Sequence, residues 1–412
     1  MSEAIVDVVV VGGGLAGSAV ATLLARAGRE VLLLERAPTY RWHAGGVFTS
    51  PAAVSALRRI GLAEDLLHEV ARPTPAMRVE TPRGARFRLT YGDDGSLAAP
   101  AVGLDRERLD PAILSLAATA GVDVRTGAVV SRVDAPTRRG SPVRIEASGT
   151  SDAVPGGRAF LSARIVVGAD GIRSVVARSV QARRSPPFAN RVGLTFHLAD
   201  SSDEAPRDAR MIVLRDGYVG IAPVPRSRVN IGIVLGSSWR RRLSNEGADS
   251  VCQGIVDAIA PTPDDAAEWR AGPRSDAIAG AAPIGHRASR RAGPGWFLVG
   301  DAAGFLDPFT GEGIHRALVS AELAAEAIDR SLAGDATAPD AYETAMRTRF
   351  LGKDRVSRLV QAFLGRPAMF EYAARRLATR RTVRDTVGLV MGDLVPAERA
   401  LDARFLASLL AP

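Results

Sequence analysis

The apolar run Ile5 to Val11 leads directly into Gly12-Gly13-Gly14-Leu15-Ala16-Gly17 and then into a helix-forming stretch. Such a run suits a strand buried on both faces. Gly12 permits a tight turn, Gly14 removes the side chain that would block a pyrophosphate, and Gly17 lets the following helix press against the strand. The helix starts at Leu15 or Ala16. Its N-terminal amides and dipole attract the pyrophosphate, while Ala19, Val20, Leu23 and Leu24 face the sheet. Gly28 ends the helix, and residues 30–35 return as a second parallel strand closing on Glu35, 23 residues after Gly12. A carboxylate there can accept both hydroxyls of an adenosine ribose. A glycine turn alone can be purely structural. Strand, turn, helix, strand and acid in register predict dinucleotide binding.

At 412 residues the chain can bury a large core and divide into two or three domains. Its single cysteine, Cys252, excludes an internal disulfide, a cysteine metal cluster and a CxxC redox pair. The five histidines form no HxxxH or HExxH pattern, so no metal site is expected and redox chemistry must come from an organic cofactor. No apolar run reaches the roughly 18 residues of a membrane span, and Met1 to Asp7 lacks a basic flank. A cytoplasmic location is expected. The net charge of +8 is carried by arginine, since Lys353 is the only lysine. Residues 341–412 hold 13 Lys plus Arg against 7 Asp plus Glu. That bias suits a solvated helical face or an anionic membrane surface. Without aromatics interleaved among the arginines, nucleic acid is not an expected partner.

After the second strand, residues 41–62 read as a glycine loop followed by a helix, with Ser50 and Pro51 as N-cap and first helical residue. Residues 77–89 alternate as a hairpin turning at Pro82 to Gly84. A helix from Asp105 to Ala120 leads to a strand over 122–133, and two further strands, near 143–148 and 160–167, suggest a small antiparallel element. The second ends at Gly168-Ala169-Asp170-Gly171, where Asp170 and the Gly171 amide can meet a ligand. Residues 181–282 change texture to alternating strands with charged turns, plus helix around 247–271. This predicts a mostly antiparallel sheet, and such a sheet beside a cofactor domain commonly builds a substrate pocket. At Trp296 to Val299 a buried strand returns and stops at Gly300 and Asp301. The amides of Gly311, Gly313 and Ile314 then sit at a helix N-terminus, where a negatively charged reduced flavin would be stabilised.

The three segments GGGLAG, GADGIRS and GDAAGFLDPFTGEGI resemble, in that order, the FAD motifs of the p-hydroxybenzoate hydroxylase and geranylgeranyl reductase superfamily. The resemblance spans about residues 5–330 and implies non-covalent FAD reduced by NADPH or NADH. The implied cofactor contacts are Gly12, Gly14, Leu15, Ala16, Gly17, Glu35, Arg36, Gly46, Arg106, Val130, Asp170, Gly171, Gly300, Asp301, Pro308, Gly311, Gly313 and Ile314. Glu35 would meet the adenosine ribose, Arg106 the phosphates, Val130 the adenine and Asp301 the ribityl chain. The late motif is closer to the geranylgeranyl reductase branch. Reductases of that branch carry a cysteine in the loop matching residues 41–51, where this chain has Gly45. They also carry YxWxFP, where this chain reads YVGIAP, with Gly220 and Ala222 replacing two large aromatics. Halogenases of the superfamily need an active-site lysine and WxWxIP, whereas Lys353 is the only lysine here and YVGIAP lacks both tryptophans, so halogenation is not expected.

The expected fold class is α/β: a Rossmann-like FAD domain (1–75, 100–180 and 283–335), an inserted, mostly antiparallel substrate domain (76–99 and 181–282), and a C-terminal helical region (336–412). The substrate pocket is expected under the isoalloxazine, among Tyr218, Gly220, Ala222, Pro223 and Phe309. No protein side chain is assigned to the chemistry, which the flavin carries. The favoured function is an NAD(P)H-driven monooxygenase that hydroxylates or epoxidises an apolar aromatic, polyketide or isoprenoid-quinone molecule through a flavin C4a-hydroperoxide. The alternatives are a reductase of isoprenoid double bonds and a non-enzymatic lipid or prenyl carrier. The C-terminal region is expected to pack as helices over the FAD domain, with an arginine-rich face able to rest on an anionic membrane.

Overall fold

The computed structural model of the chain describes residues 5–91, 100–136, 140–150, 152–154, 156–185, 190–201, 205–259 and 271–411. Ile5–Val11 is a strand in which Val8, Val9 and Val10 are wholly buried. It pairs in parallel with Val31–Glu35 and with Arg158–Gly168. Asp123–Thr126 and Trp296–Leu298 continue the parallel set on either side. Helix Leu15–Arg26 packs against helices Arg106–Thr119 and Gly313–Leu332. The single strand expected over 122–133 is in fact two. Gly127, at φ 79°, ends Asp123–Thr126, and the chain turns away as Ala128–Asp134, which pairs antiparallel with Val143–Gly149. Val143–Gly149 in turn lies antiparallel to the first half of Arg158–Gly168, so one long strand serves both arrangements.

The second sheet runs in the order Ala271–Arg274, Val192–Asp200, Arg228–Leu235, Gly217–Val224, Ala209–Leu214, Ala76–Glu80 and Arg86–Thr90. Its pairs are antiparallel except where the hairpin strand Ala76–Glu80 joins Ala209–Leu214 in parallel. Two-residue alternation divides the faces. Leu194, Phe196, Val219, Ile221, Ile231 and Ile233 form one core with helix Arg240–Ile259. That helix begins earlier than residue 247 and is interrupted at Gly247 (φ 80°, ψ 166°); residues 260–270 of the expected stretch, like 92–99 after the hairpin, lie outside the described residues. Cys252 is buried in this core, and burial pushes its thiol up to about 11, as suits a packing residue.

Two features join the layers, and neither was legible beforehand. Phe48–Thr49, Ala71–Thr74 and Ala101–Leu104 make a small antiparallel sheet. It packs backbone to backbone on the large sheet, since a Cβ on Gly103 would lie 1.8 Å from the Pro223 carbonyl oxygen. Beside it the buried Asp105 carboxylate pairs with Arg226 at 2.7 Å and Arg228 at 3.0 Å. Ser50 does stand at the N-cap of helix Pro51–Arg59, but its hydroxyl makes no cap bond and donates instead to Asp393 at 3.1 Å.

The C-terminal region is helical over Ala338–Leu364, Pro367–Thr379, Arg381–Met391 and Ala403–Leu410, with the first break at Gly365 and Pro367 as the residue types require. Its docking differs from expectation. Ala338–Leu364 packs on Gly313–Leu332, but the next two helices pack on hairpin strand Arg86–Thr90. Phe363, Leu377 and Val383 share a core there with Phe87, Leu89 and Met211, each contributing about 1.5–3 kcal/mol of burial. The hairpin strands expose a row of apolar side chains that the parallel layer does not cover, and the helices cover it. No helix among the described residues is long and apolar enough to cross a membrane.

Candidate active site

The three sequence motifs meet at the carboxyl end of the parallel sheet. A Cβ on Gly12 would lie 2.6 Å from the Ala169 carbonyl oxygen, and one on Gly17 would lie 1.9 Å from the Gly12 carbonyl oxygen. One on Gly14 would meet nothing within 4 Å. Gly12 and Gly17 are therefore demanded by the protein's own packing. The space over Gly14 is a cradle that a ligand can fill. Gly14 is also the N-cap of helix Leu15–Arg26 and provides no side-chain cap, leaving the amides of Leu15 and Ala16 for an anion.

Glu35 closes the second strand, and its carboxylate accepts from the Gly13 amide at 2.7 Å and the Ala37 amide at 2.8 Å. Each oxygen keeps a lone pair for a ribose hydroxyl. Arg36 beside it is exposed, and Val130 is buried on the strand Ala128–Asp134. Asp170 accepts from the Val175 amide through Oδ2 at 2.6 Å, while its Oδ1 is buried with no hydrogen-bond partner among the described residues. Burial pushes this carboxyl up against the opposing pull of its hydrogen bonds. Gly171 follows in the same turn at φ 74°.

A Cβ on Gly300 would lie 2.8 Å from that of Ala16, which brings Asp301 onto the start of the first helix. Burial raises the Asp301 carboxyl, and Arg106, Arg316 and His43 oppose the rise. Arg106 is the fixed centre of this corner. It donates to both oxygens of Asp110 at 2.6 and 2.8 Å and to the Gly46 carbonyl at 2.7 Å. Tyr40, against the same group, has a buried hydroxyl without a hydrogen-bond partner among the described residues, and burial beside Asp110 pushes its phenol upward. The orphaned polar atoms of Tyr40 and Asp170, together with the open space over Gly14, fit a large polar ligand such as FAD.

The Pro308-to-Gly313 segment folds as a turn whose N-cap, Asp307, is buried and wholly engaged. It accepts from Tyr218 at 2.6 Å, Gln361 at 2.7 Å, the Phe309 amide at 3.0 Å and Arg191 at 2.7 Å. Gly311 packs against the Phe48 ring, and helix Gly313–Leu332 starts with no side-chain cap, with Ile314 buried in its first turn. The hydroxyl of Tyr218, expected to line the substrate pocket, is thus committed to Asp307, and its ring meets Phe309 edge-on with centroids 5.0 Å apart. It ties the sheet to the turn.

Tyr218, Gly220 and Ala222 share the face of the large sheet that looks toward this turn. Gly220 lies directly opposite Gly232, so two side chains are missing side by side. Met211 flanks this trough on one strand and Asn230 on another, and Pro223 closes the strand against Gly103. Sequence reading missed the lid and the polar end of the trough. Trp42 meets His197 with ring centroids 4.5 Å apart and planes tilted by 53°, and Val47 and Phe48 pack with Ala222. His197 pairs with Asp276 at 2.6 Å beside Asn230. Trp42 in a glycine loop was the one signal available for the lid.

A model of the FAD binding domain matches residues 5–351. Among curated proteins, the chain is 30% identical over 414 residues to a menaquinone reductase of Mycolicibacterium smegmatis, covering 96% of this chain and 93% of that protein. It is 31% identical over 337 residues to a digeranylgeranylglycerophospholipid reductase of Methanothermobacter thermautotrophicus, covering 78% of each. Among solved structures, a flavoprotein/dehydrogenase from Cytophaga hutchinsonii shares the fold, with a TM-score of 0.80 at 17% identity over 98% of this chain and 95% of that one. The chain belongs to the FAD binding domain family, as an FAD-dependent oxidoreductase of the p-hydroxybenzoate hydroxylase and geranylgeranyl reductase superfamily.

Proposed function

We propose that this oxidoreductase saturates a carbon–carbon double bond in an isoprenoid chain, of the kind a menaquinone carries. The observation that carries the reading is the end-to-end likeness to a menaquinone reductase, which includes the substrate sheet as well as the cofactor motifs. FAD, recharged by NADPH or NADH, supplies the hydride. The protein's part is to bind, orient and exclude water. Gly12, Gly14, Leu15, Ala16 and Gly17 hold the pyrophosphate, Glu35 the ribose, Asp301 the ribityl chain, and the turn at Gly311 to Ile314 the pyrimidine edge. The Gly220–Gly232 trough receives the apolar substrate between Met211, Phe309 and the Phe48 and Trp42 rings. A long-chain substrate gives a purpose to a peripheral membrane contact through the arginine-rich C-terminal helices.

The monooxygenase reading keeps one observation in its favour. Gly220 and Ala222, where reductases of the branch carry two large aromatics, leave room for a broad ring system. Reduced holoenzyme incubated with menaquinone, in one arm under strict anaerobiosis and in a second arm with oxygen admitted, separates the readings. A product heavier by two hydrogens supports the reductase. Substrate-dependent oxygen uptake with one oxygen retained in the product overturns it in favour of the monooxygenase, and tight retention of substrate with neither reaction points to a carrier.

A further inference from the structure

Of the 53 lysine and arginine residues in the chain, only Lys353 is a lysine. It is buried on helix Ala338–Leu364. Its ammonium donates to the Val390 carbonyl at 2.6 Å and lies 3.1 Å from Asp393 Oδ1 and 3.4 Å from Glu312 Oε1. Three acceptors around one nitrogen suit an ammonium, whose three N–H bonds point in different directions. A guanidinium spreads its donors in one plane and needs more room. The site therefore rejects the cation that the chain uses everywhere else.

Lys353, Ser357 and Gln361 recur every four residues, so they share one helix face, and all three are buried. Each meets a different part of the turn that precedes helix Gly313–Leu332. Gln361 donates to Asp307, Ser357 lies 3.5 Å from the Thr310 hydroxyl, and Lys353 faces Glu312. Glu312 occupies the N-cap position of that helix, and its Oε1 is buried with no hydrogen-bond partner among the described residues. Its charge is compensated across space by Lys353 and by Arg316, 4.0 Å from Oε2.

We infer that Lys353 is a positioning residue that sets the electrostatics of the flavin edge: with Ser357 and Gln361 it fixes the Asp307-to-Glu312 turn, and by cancelling Glu312 it keeps that turn receptive to the negative charge of reduced FAD. An uncompensated carboxylate at this helix N-terminus would oppose the anion that the helix dipole favours. The inference goes beyond the proposed reaction and holds for a reductase or a monooxygenase alike.

The test is the midpoint potential of the holoenzyme, measured by anaerobic dye-equilibrated reduction, with FAD affinity and apoprotein melting recorded alongside. Lys353→Met is expected to lower the affinity for reduced relative to oxidised FAD about tenfold, a shift of about 30 mV to more negative potential. Lys353→Arg keeps the charge without the ammonium's geometry, so it should shift the potential less than Lys353→Met. Glu312→Gln alone should shift the potential positively, and the double variant Glu312→Gln with Lys353→Met should return toward wild type. Gln361→Ala removes a tether without a charge, so it should weaken FAD binding in both redox states and leave the potential in place. Flavin-loaded Lys353→Met with a wild-type potential would overturn the inference. If that variant does not fold, an unchanged potential in the isosteric Glu312→Gln does the same. Wild-type protein unable to take up FAD would overturn the cofactor assignment and the inference together.

Discussion

Single glycines divide into those the fold requires and those a ligand requires. Gly14→Val places a Cβ that no described residue beyond its local chain approaches within 4 Å, at φ −71°, which valine adopts freely. It is expected to change apoprotein stability by less than about 1 kcal/mol while abolishing flavin occupancy, read by absorbance of the purified protein. Gly17→Ala puts its Cβ 1.9 Å from the Gly12 carbonyl oxygen and should destabilise the apoprotein by about 1–3 kcal/mol or more in urea unfolding. Equal behaviour of the two variants would remove the distinction. Gly220→Trp tests the trough. Its Cβ would make only ordinary contacts, 3.7 Å to Met211 and 3.9 Å to the Gly232 carbonyl, so the strand tolerates it. Turnover of a bulky substrate should fall at least about tenfold with FAD binding intact. Unchanged turnover would place the substrate elsewhere.

At the scale of elements, the segment after helix Arg381–Met391 is locked to the cofactor layer by Asp393. Burial pushes this carboxyl up, but the His315 hydrogen bond and the Lys353 charge outweigh burial and hold it down at about 2. Its ordinary value is 3.8, so the folded state is favoured above about pH 4, and that contribution disappears as pH falls toward 2. The contribution is about 2 kcal/mol. Asp393 sits at φ 58°, a conformation asparagine also accepts, so Asp393→Asn changes charge with little change in backbone preference. Urea unfolding should show this variant weakened by about 2–4 kcal/mol at pH 7 and less acid-sensitive than wild type between pH 4 and 2. An identical pH dependence would show that the ion pair does not couple the element to folding.

Taken as a whole, the molecule concentrates arginine and exposed apolar side chains on its C-terminal helices. Met369, Tyr372, Leu394 and Leu410 are exposed there. Tyr372 donates to the Leu410 carbonyl at 2.8 Å and carries the Arg376 guanidinium over its ring at 4.9 Å. Part of the charge is spent internally. Arg375 pairs with Glu371, Arg381 lies 3.5 Å from Asp385, and Arg380 caps the Ser408 and Ala411 carbonyls. Binding to anionic vesicles is accordingly expected at low salt and lost at high salt, because each remaining arginine contributes roughly 1 kcal/mol within a Debye length. Flotation with phosphatidylserine vesicles reads this directly, and absence of binding at low salt would remove the membrane from the function.

The amino-acid sequence by itself determined what is local in the chain. The strand, glycine turn, helix and acid of residues 5–35, the hairpin at 76–90, the strand alternation after residue 192 and the helix break at Gly365 and Pro367 are each written within a few turns or pleats, where periodicity and backbone freedom suffice. The cofactor corner was legible for the same reason, since every one of its three motifs is a strand end followed by a turn. Tertiary structure alone decided what a polar side chain does. Tyr218 and Gln361 acquire meaning only from Asp307, which lies 89 and 54 residues away from them. Ser50, a plausible helix cap by spacing, is taken by Asp393 from 343 residues away. Trp42 meets Thr195 and His197, and Thr195 stands opposite Gly232, only because the loop folds onto the sheet. Two of the helices expected over the cofactor layer, Pro367–Thr379 and Arg381–Met391, went instead to the hairpin, because burial depends on which apolar row is left uncovered, and no local pattern records that. A hydrogen bond or an ion pair depends on the partner as much as on the residue, and the partner is chosen by the fold.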